Sequence, residues 1–257
     1  MNILKSIAEV RAYGKAVSGS VGFVPTMGAL HPGHLSLVER SRNETDLTMV
    51  SIYVNPTQFN SAKDLANYPD TLIADMHLLE VAGVSAVFMP TYKVLYPDDY
   101  AYEVDEKQFS GELCGENRPG HFTGVLTVVM KLLNLVKPQK AYFGEKDFQQ
   151  LSLVRGMVEA FFLETEIIGC PIIREDDGLA MSSRNINLSS CDRRKAPIFT
   201  RLLSNAMLSD EHIQTRLGLA GFEVDYVVTK GGRRFGAVVM GDPATPVRLI
   251  DNVKVIS

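Results

Sequence analysis

The chain has 257 residues, 46% of them hydrophobic, which is enough for a substantial core in one large domain or two. A formal net charge of −4 leaves no strong basic field and argues against nucleic acid as the main partner. Its three cysteines (Cys114, Cys170 and Cys191) are widely spaced and form no Cys-x-x-Cys pair, so neither a disulfide framework nor a zinc site is expected, and a reducing compartment fits.

The opening stretch, MNILKSIAEVRAYGK, is amphipathic and lacks the apolar centre of a signal peptide. No uncharged apolar run approaches the roughly 20 residues that span a bilayer, so no membrane partner is expected. An apolar run at 21–24 stops at Pro25, a glycine-bearing turn follows, and the pattern predicts a helix over 34–43. Further strands are predicted at 47–54, 85–89, 140–143 and 166–173, and further helices at 71–82, 122–136 and 147–162. Continuous apolar strands separated by helices predict a parallel sheet covered on both faces. In such sheets ligands bind beyond the carboxyl ends of the strands. The composition shifts near residue 185. Helical stretches at 190–208 and 211–220, with strand-like runs at 222–228, 235–240 and 247–256, predict a small α+β second domain. The expected division is therefore 1–185 and 186–257.

The segments after the strands carry the chemistry. His31-Pro32-Gly33-His34 places two histidines three apart at a helix start, on one face. There the unpaired N–H groups and the helix dipole favour an anion. Gly28 and Gly33 let backbone approach a ligand, which suits a phosphate chain. In VSIYVNPTQFN, Asn55 and Gln58 are neutral amides offering both donors and acceptors. Asn55 serves a turn as readily as a ligand, whereas Gln58 has no turn role. In GEKDFQQ, Gly144 permits close approach, Lys146 offers a point charge for phosphate, and Asp147 stands at an N-cap position. In DGLAMSSRN, Ser182 and Ser183 supply hydroxyls and Arg184 a phosphate-matching fork, although a serine pair also caps helices. Arg118 and His121 in RPGHFTGV read equally as turn residues and as site residues. No G-x-S-x-G elbow, P-loop or G-x-G-x-x-G fingerprint is present, so no protein nucleophile is indicated.

Taken in order, PTMGALHPGH, SIYVNPTQF, RPGHFTGV, KLLNLVKP, YFGEKDFQQ and AMSSRN resemble the pantothenate synthetase (pantoate–β-alanine ligase) family over residues 20–190. The resemblance implies a Rossmann-like, doubly wound N-terminal domain and a small C-terminal lid. It implies that ATP and pantoate form pantoyl adenylate and pyrophosphate, and that β-alanine then displaces AMP to give pantothenate for coenzyme A synthesis. Magnesium, a cytoplasmic location and a homodimer come with it. Carried over by position, Met27, Gly28, Ala29, Leu30, His31, Pro32, Gly33 and His34 would line the ATP site, with His34 as proton donor. Gly144, Glu145, Lys146, Asp147, Ile173, Met181, Ser182, Ser183 and Arg184 would also contact ATP. Gln58 would contact pantoate and β-alanine, and Gln150 pantoate. No metal ligand is assigned, Asp75 being a weak candidate, and the phosphates would hold most of the magnesium. The chain departs from the family pattern at Cys114, where many relatives are acidic, at Asp70, commonly Arg, and in a shortened segment after Asn185. The alternatives are another His-x-Gly-His nucleotidylyltransferase, a fragment of a class I aminoacyl-tRNA synthetase, and a non-catalytic nucleotide-binding protein.

Overall fold

A computed structural model describes residues 1–255; Ser257 and Ile256, the last residue of the final predicted strand run, lie outside the described residues. The chain divides into two compact units, one formed by 1–145 and 149–170, the other by 146–148 and 171–257. The 185/186 division expected from composition falls inside the second unit.

In the first unit, β1 (Asn2–Leu4) leads into α1 (Ile7–Ala16), β2 (Val21–Thr26) into α2 (Pro32–Glu44), and β3 (Leu47–Ile52) into a 3-10 turn at Pro56–Gln58. There follow α3 (Ala62–Ala66), α4 (Leu72–Val81), β4 (Ala86–Phe88), α5 (Tyr92–Leu95) and α6 (His121–Val136). Then come β5 (Lys140–Gly144), a 3-10 turn at Glu145–Asp147, α7 (Phe148–Ala160) and β6 (Glu166–Cys170). The strands form one parallel sheet in the order β1-β4-β3-β2-β5-β6.

This is the parallel sheet expected from sequence, and the residues explain why it is covered on both faces. Val24 and Val50 pack with Leu37 and Val38 of α2 and Leu79 of α4. Phe23 and Met49, one residue out of step and so facing the other way, are also buried. β6 stops at Cys170, short of the expected 173, because Pro171 brings no N–H to the ladder.

The strand order reverses at β2, where β3 and β4 lie to one side and β5 and β6 to the other. Pairing between β2 and β5 covers only Gly22↔Lys140 and Phe23↔Ala141. Beyond it β2 follows β3 as far as Thr26↔Ile52, and β5 follows β6 as far as Gly144↔Cys170. The carboxyl edge therefore parts at the switch point, where open α/β sheets take ligands.

The second unit contains α8 (Ser190–Lys195), α9 (Pro197–Leu203), α10 (Asp210–Leu219), β7 (Glu223–Lys230), β8 (Arg233–Met240) and β9 (Val247–Lys254). Its sheet is antiparallel, in the order β7-β8-β9. The single helical stretch expected over 190–208 is interrupted at Ala196, with Pro197 opening α9. Phe199, Leu203, Ile213 and Leu217 of α9 and α10 pack with Val227, Val238 and Leu249 of the sheet. Gly231 and Gly232, with φ of 60° and 73°, make the two-residue turn that joins β7 to β8.

Candidate active site

Two loops of the first unit leave the parted edge and are tied to each other. After β2, the Thr26 hydroxyl donates to the Ser51 carbonyl at 2.7 Å and accepts from the Gly28 N–H at 3.2 Å. Gly28 and Ala29 then turn through the left-handed region, with φ of 79° and 51°. That conformation suits glycine and is uncommon for alanine.

α2 begins at Pro32 rather than at 34, so His31 is its N-cap and His34 its third residue. Nδ1 of His31 accepts from the Gly33 N–H at 3.1 Å, and Nδ1 of His34 accepts from the His31 N–H at 3.3 Å. The two rings lie tilted against each other by 44°, at a centroid distance of 4.1 Å. With both Nδ1 atoms accepting, each neutral imidazole carries its proton on Nε2. The pair is therefore held as two Nε2–H donors at a helix start, an arrangement suited to phosphate oxygens.

After β3, Asn55 and Gln58 take different roles. Asn55 is 1% exposed and wholly engaged. Its Oδ1 accepts from Tyr96 OH and Thr57 Oγ1, each at 3.0 Å, and its Nδ2 donates to Gly124 O at 3.1 Å and Gln58 Oε1 at 3.2 Å. Burial pushes the Tyr96 phenol up to about 12, so it stays protonated and donating at neutral pH. Asn55 is thus a strut that fixes which end of the Gln58 amide is which. The Gln58 Nε2 donates to Met27 Sδ at 3.1 Å, linking the two loops. The Gln58 carbonyl accepts from His121 Nδ1 at 2.8 Å and Arg118 Nη2 at 3.2 Å. Arg118 Nη1 meets His121 Nε2 at 3.1 Å, so His121 is the opposite tautomer from His31 and His34. Arg118 and His121 are clamps on the Gln58 backbone.

At the start of α7 the structure separates two glutamines that sequence could not. Gln149 is buried. It accepts from Cys114 N at 3.1 Å and donates to Phe109 O and Glu112 O at 2.8 and 2.7 Å, pinning the loop before α6. Cys114 lends this loop its backbone N–H, while its thiol side chain is buried. Gln150 is half-buried beyond the end of β5. Asp70 accepts weakly from the Leu72 N–H at 3.4 Å, at the start of α4.

Gly144 ends β5 and Glu145 opens the 3-10 turn in the first unit, whereas Lys146, Asp147, Ile173 and 181–184 belong to the second, where neighbouring residues of β9 hold the Lys146 backbone and the hairpin at Arg174. Asn252 Nδ2 donates to the Lys146 carbonyl at 2.9 Å. Asn252 is also hydrogen-bonded by Arg233, whose guanidinium lies 4.0 Å over the Phe148 ring. Lys146 Nζ stands 3.9 Å from Asp147, which ends a 3-10 turn and directly precedes α7. Asp251, 3% exposed, takes Arg174 at 2.7 and 3.0 Å and the Thr200 hydroxyl at 2.8 Å. Arg174 bridges to Ala180 in a hairpin closed by Met181 N–H to Ile173 O at 3.0 Å. Ser182 then caps a 3-10 turn at Ser183–Asn187 by accepting from the Arg184 N–H at 3.3 Å. Tyr96, Arg233 and Asn252 give no signal in the sequence, because each acts on a residue far away in the chain.

Among the described residues, no group of three or more His, Cys, Asp or Glu side chains could hold a metal ion, and no helix is long and apolar enough to cross a membrane. The carboxylate of Asp75 is engaged by backbone N–H groups and does not fit a resident magnesium ion.

A parallel sheet with a polar helix start at its switch point defines an α/β protein with a ligand site at the carboxyl edge of its strands. Residues 2–254 match the family model for pantoate-beta-alanine ligase. Over 253 residues the chain is 51% identical to pantothenate synthetase of Bdellovibrio bacteriovorus, spanning 98% of this chain and 99% of that one. It is 48% identical to that of Coxiella burnetii over 252 residues, spanning 98% and 96%. Among solved structures, pantoate-beta-alanine ligase from Francisella tularensis, complexed with beta-gamma ATP and beta-alanine, superposes with a TM-score of 0.93 at 40% identity, covering 99% of this chain and 97% of that one. Pantothenate synthetase from Thermus thermophilus gives 0.91 at 40% identity, with both chains covered in full. The chain belongs to the pantoate–β-alanine ligase family and is an enzyme that joins pantoate to β-alanine. This membership sets aside the tRNA-synthetase fragment, the other nucleotidylyltransferases and the non-catalytic reading.

Proposed function

We propose that the reaction runs in two steps, with the pantoate carboxylate attacking the α-phosphorus of ATP to give pantoyl adenylate before the β-alanine amine displaces AMP. The observation that carries this reading is the matched pair of Nε2–H donors at the start of α2. An in-line attack on phosphorus needs aligned partners and neutralised phosphate charge, and it needs no protein nucleophile. His34 is the proton donor to the phosphates, with His31 beside it. Met27, Gly28, Ala29, Leu30, Pro32 and Gly33 complete this wall of the ATP site. Gly144, Glu145, Lys146, Asp147, Ile173, Met181, Ser182, Ser183 and Arg184 contact the same nucleotide. Gln58 takes pantoate and β-alanine, and Gln150 takes pantoate.

In this reading residues 1–185 bind ATP and pantoate, and the small domain at 186–257 acts as a lid. Magnesium belongs to the nucleotide and arrives on its phosphates. A cytoplasmic homodimer is the assembly that the resemblance implies, and cysteines without a pairing pattern are consistent with that compartment.

Pyrophosphate exchange tests the order of steps. With ATP and pantoate but no β-alanine, labelled pyrophosphate should enter ATP, and AMP release should need all three substrates. Exchange that depends on β-alanine would exclude the two-step scheme.

A further inference from the structure

Asp75 lies on α4, 2% exposed, and takes no part in the proposed chemical steps. Its two carboxylate oxygens face the loop ahead of His31. Oδ2 accepts from the Ala29 N–H at 2.8 Å and the Thr71 hydroxyl at 3.0 Å, and Oδ1 accepts from the Leu30 N–H at 2.8 Å. Successive N–H groups that converge in this way form an anion-binding nest. In many proteins a ligand fills such a nest. Here a side chain from 45 and 46 positions further along the chain fills it. The fit is close, since a Cβ on Gly28 would stand 3.1 Å from Asp75 Oδ2 and 3.3 Å from Ile52 Cγ2.

We infer that Asp75 is a positioning residue, an internal anion that holds the left-handed turn at Gly28–Ala29 and so sets where His31 and His34 point. Without it, the buried Ala29 N–H and the half-buried Leu30 N–H would lose this acceptor, and the turn would lose the contact that favours its uncommon conformation. His31 follows Leu30 directly, so any relaxation passes straight to the start of α2. The inference rests on the proposed assignment of residues 27–34 to ATP.

A purely electrostatic role predicts the opposite sign. A carboxylate near a phosphate site repels the ligand, so neutralising it would tighten ATP binding. Asp75→Asn separates the two ideas, because it removes the charge, keeps the shape and turns an amide NH2 against a backbone N–H. Positioning predicts that pantoate-dependent pyrophosphate exchange at saturating ATP falls by roughly 10- to 100-fold, the scale of a displacement of about 1 Å in reacting groups. Attack of β-alanine on supplied pantoyl adenylate should change far less, a split that general loss of structure would not produce. Thr71→Val removes only the hydroxyl contact, and should give a smaller fall in the same step with unchanged thermal stability.

His34→Ala, assayed alongside, tests the underlying assignment. If exchange survives that change, the assignment of the loop to ATP fails, and the role of Asp75 fails with it. If His34→Ala lowers exchange but Asp75→Asn matches the unaltered enzyme or binds ATP more tightly, the positioning role alone is overturned. Should Asp75→Asn fail to fold, Thr71→Val decides, and exchange equal to that of the unaltered enzyme would overturn the proposal.

Discussion

His31 and His34 use the same ring nitrogen for the same purpose, each accepting a backbone N–H at Nδ1 and keeping the proton on Nε2. His121 does the reverse, donating from Nδ1 to the Gln58 carbonyl. Three histidines of one unit are thus sorted by backbone hydrogen bonds, two as donors at a helix start and one as a clamp. Residue type is legible in the sequence but tautomer is not, because it depends on what each Nδ1 meets. This geometry gives a prediction for His34→Ala. The variant loses one Nε2–H donor and a 3.3 Å cap contact that is long for a strong hydrogen bond. Adenylate formation should slow by at least ~100-fold, the usual scale for a lost transition-state donor. The fold should survive, because Leu37 and Val38, which anchor α2 to the sheet, are untouched. Single-turnover adenylation measured on folded variant is the check, and a near-normal rate would remove His34 from the chemistry.

At the scale of elements, the contact between α6 and the Pro56–Gln58 turn decides where Gln58 stands. A Cβ built on Gly124 would lie 2.4 Å from the Thr57 carbonyl oxygen and 2.8 Å from the Gln58 nitrogen, so helix and turn touch backbone to backbone. Gly124→Ala should force them apart at roughly 1–3 kcal/mol, the range for overpacking, measured by urea unfolding. It should also weaken pantoate more than ATP, because the displaced turn carries Gln58; equal weakening of both ligands in calorimetry would count against that assignment. Most of the elements were legible from sequence, because apolar runs and 3.6-residue patterns are local. The paired glycines at 231–232 were a readable turn signal that extends β7 and β8 to the turn at Lys230 and Arg233. Asn55 was not resolved by sequence, since it is a strut only because Tyr96 and Gly124 meet it. Asp75 was open for the same reason, its partners lying at the far end of a loop.

At the scale of the whole molecule, chain order and structural membership part company at one place. Lys146–Phe148 sits between β5 and α7 in sequence yet belongs to the second unit. Two adjacent β9 residues explain this, with Asn252 holding the Lys146 carbonyl and Asp251 holding the hairpin at Arg174. The two proposed nucleotide-contacting segments of this unit, 146–147 and 181–184, are therefore anchored to one strand. Composition alone placed the division at 185 because it saw the change of pattern there and had no view of the Arg174–Asp251 pair. The shared anchor predicts joint behaviour in hydrogen exchange. Short turns held by few buried contacts open at low free energy, so both segments should exchange readily in the unliganded enzyme. A non-hydrolysable ATP analogue should slow exchange in both together, while pantoate alone should protect neither. Protection of 181–184 without 146–147 would show that β9 does not couple them. Equal exchange with and without the analogue would remove both segments from the nucleotide site, since a ligand that binds a segment only in its closed form must lower how often that segment opens.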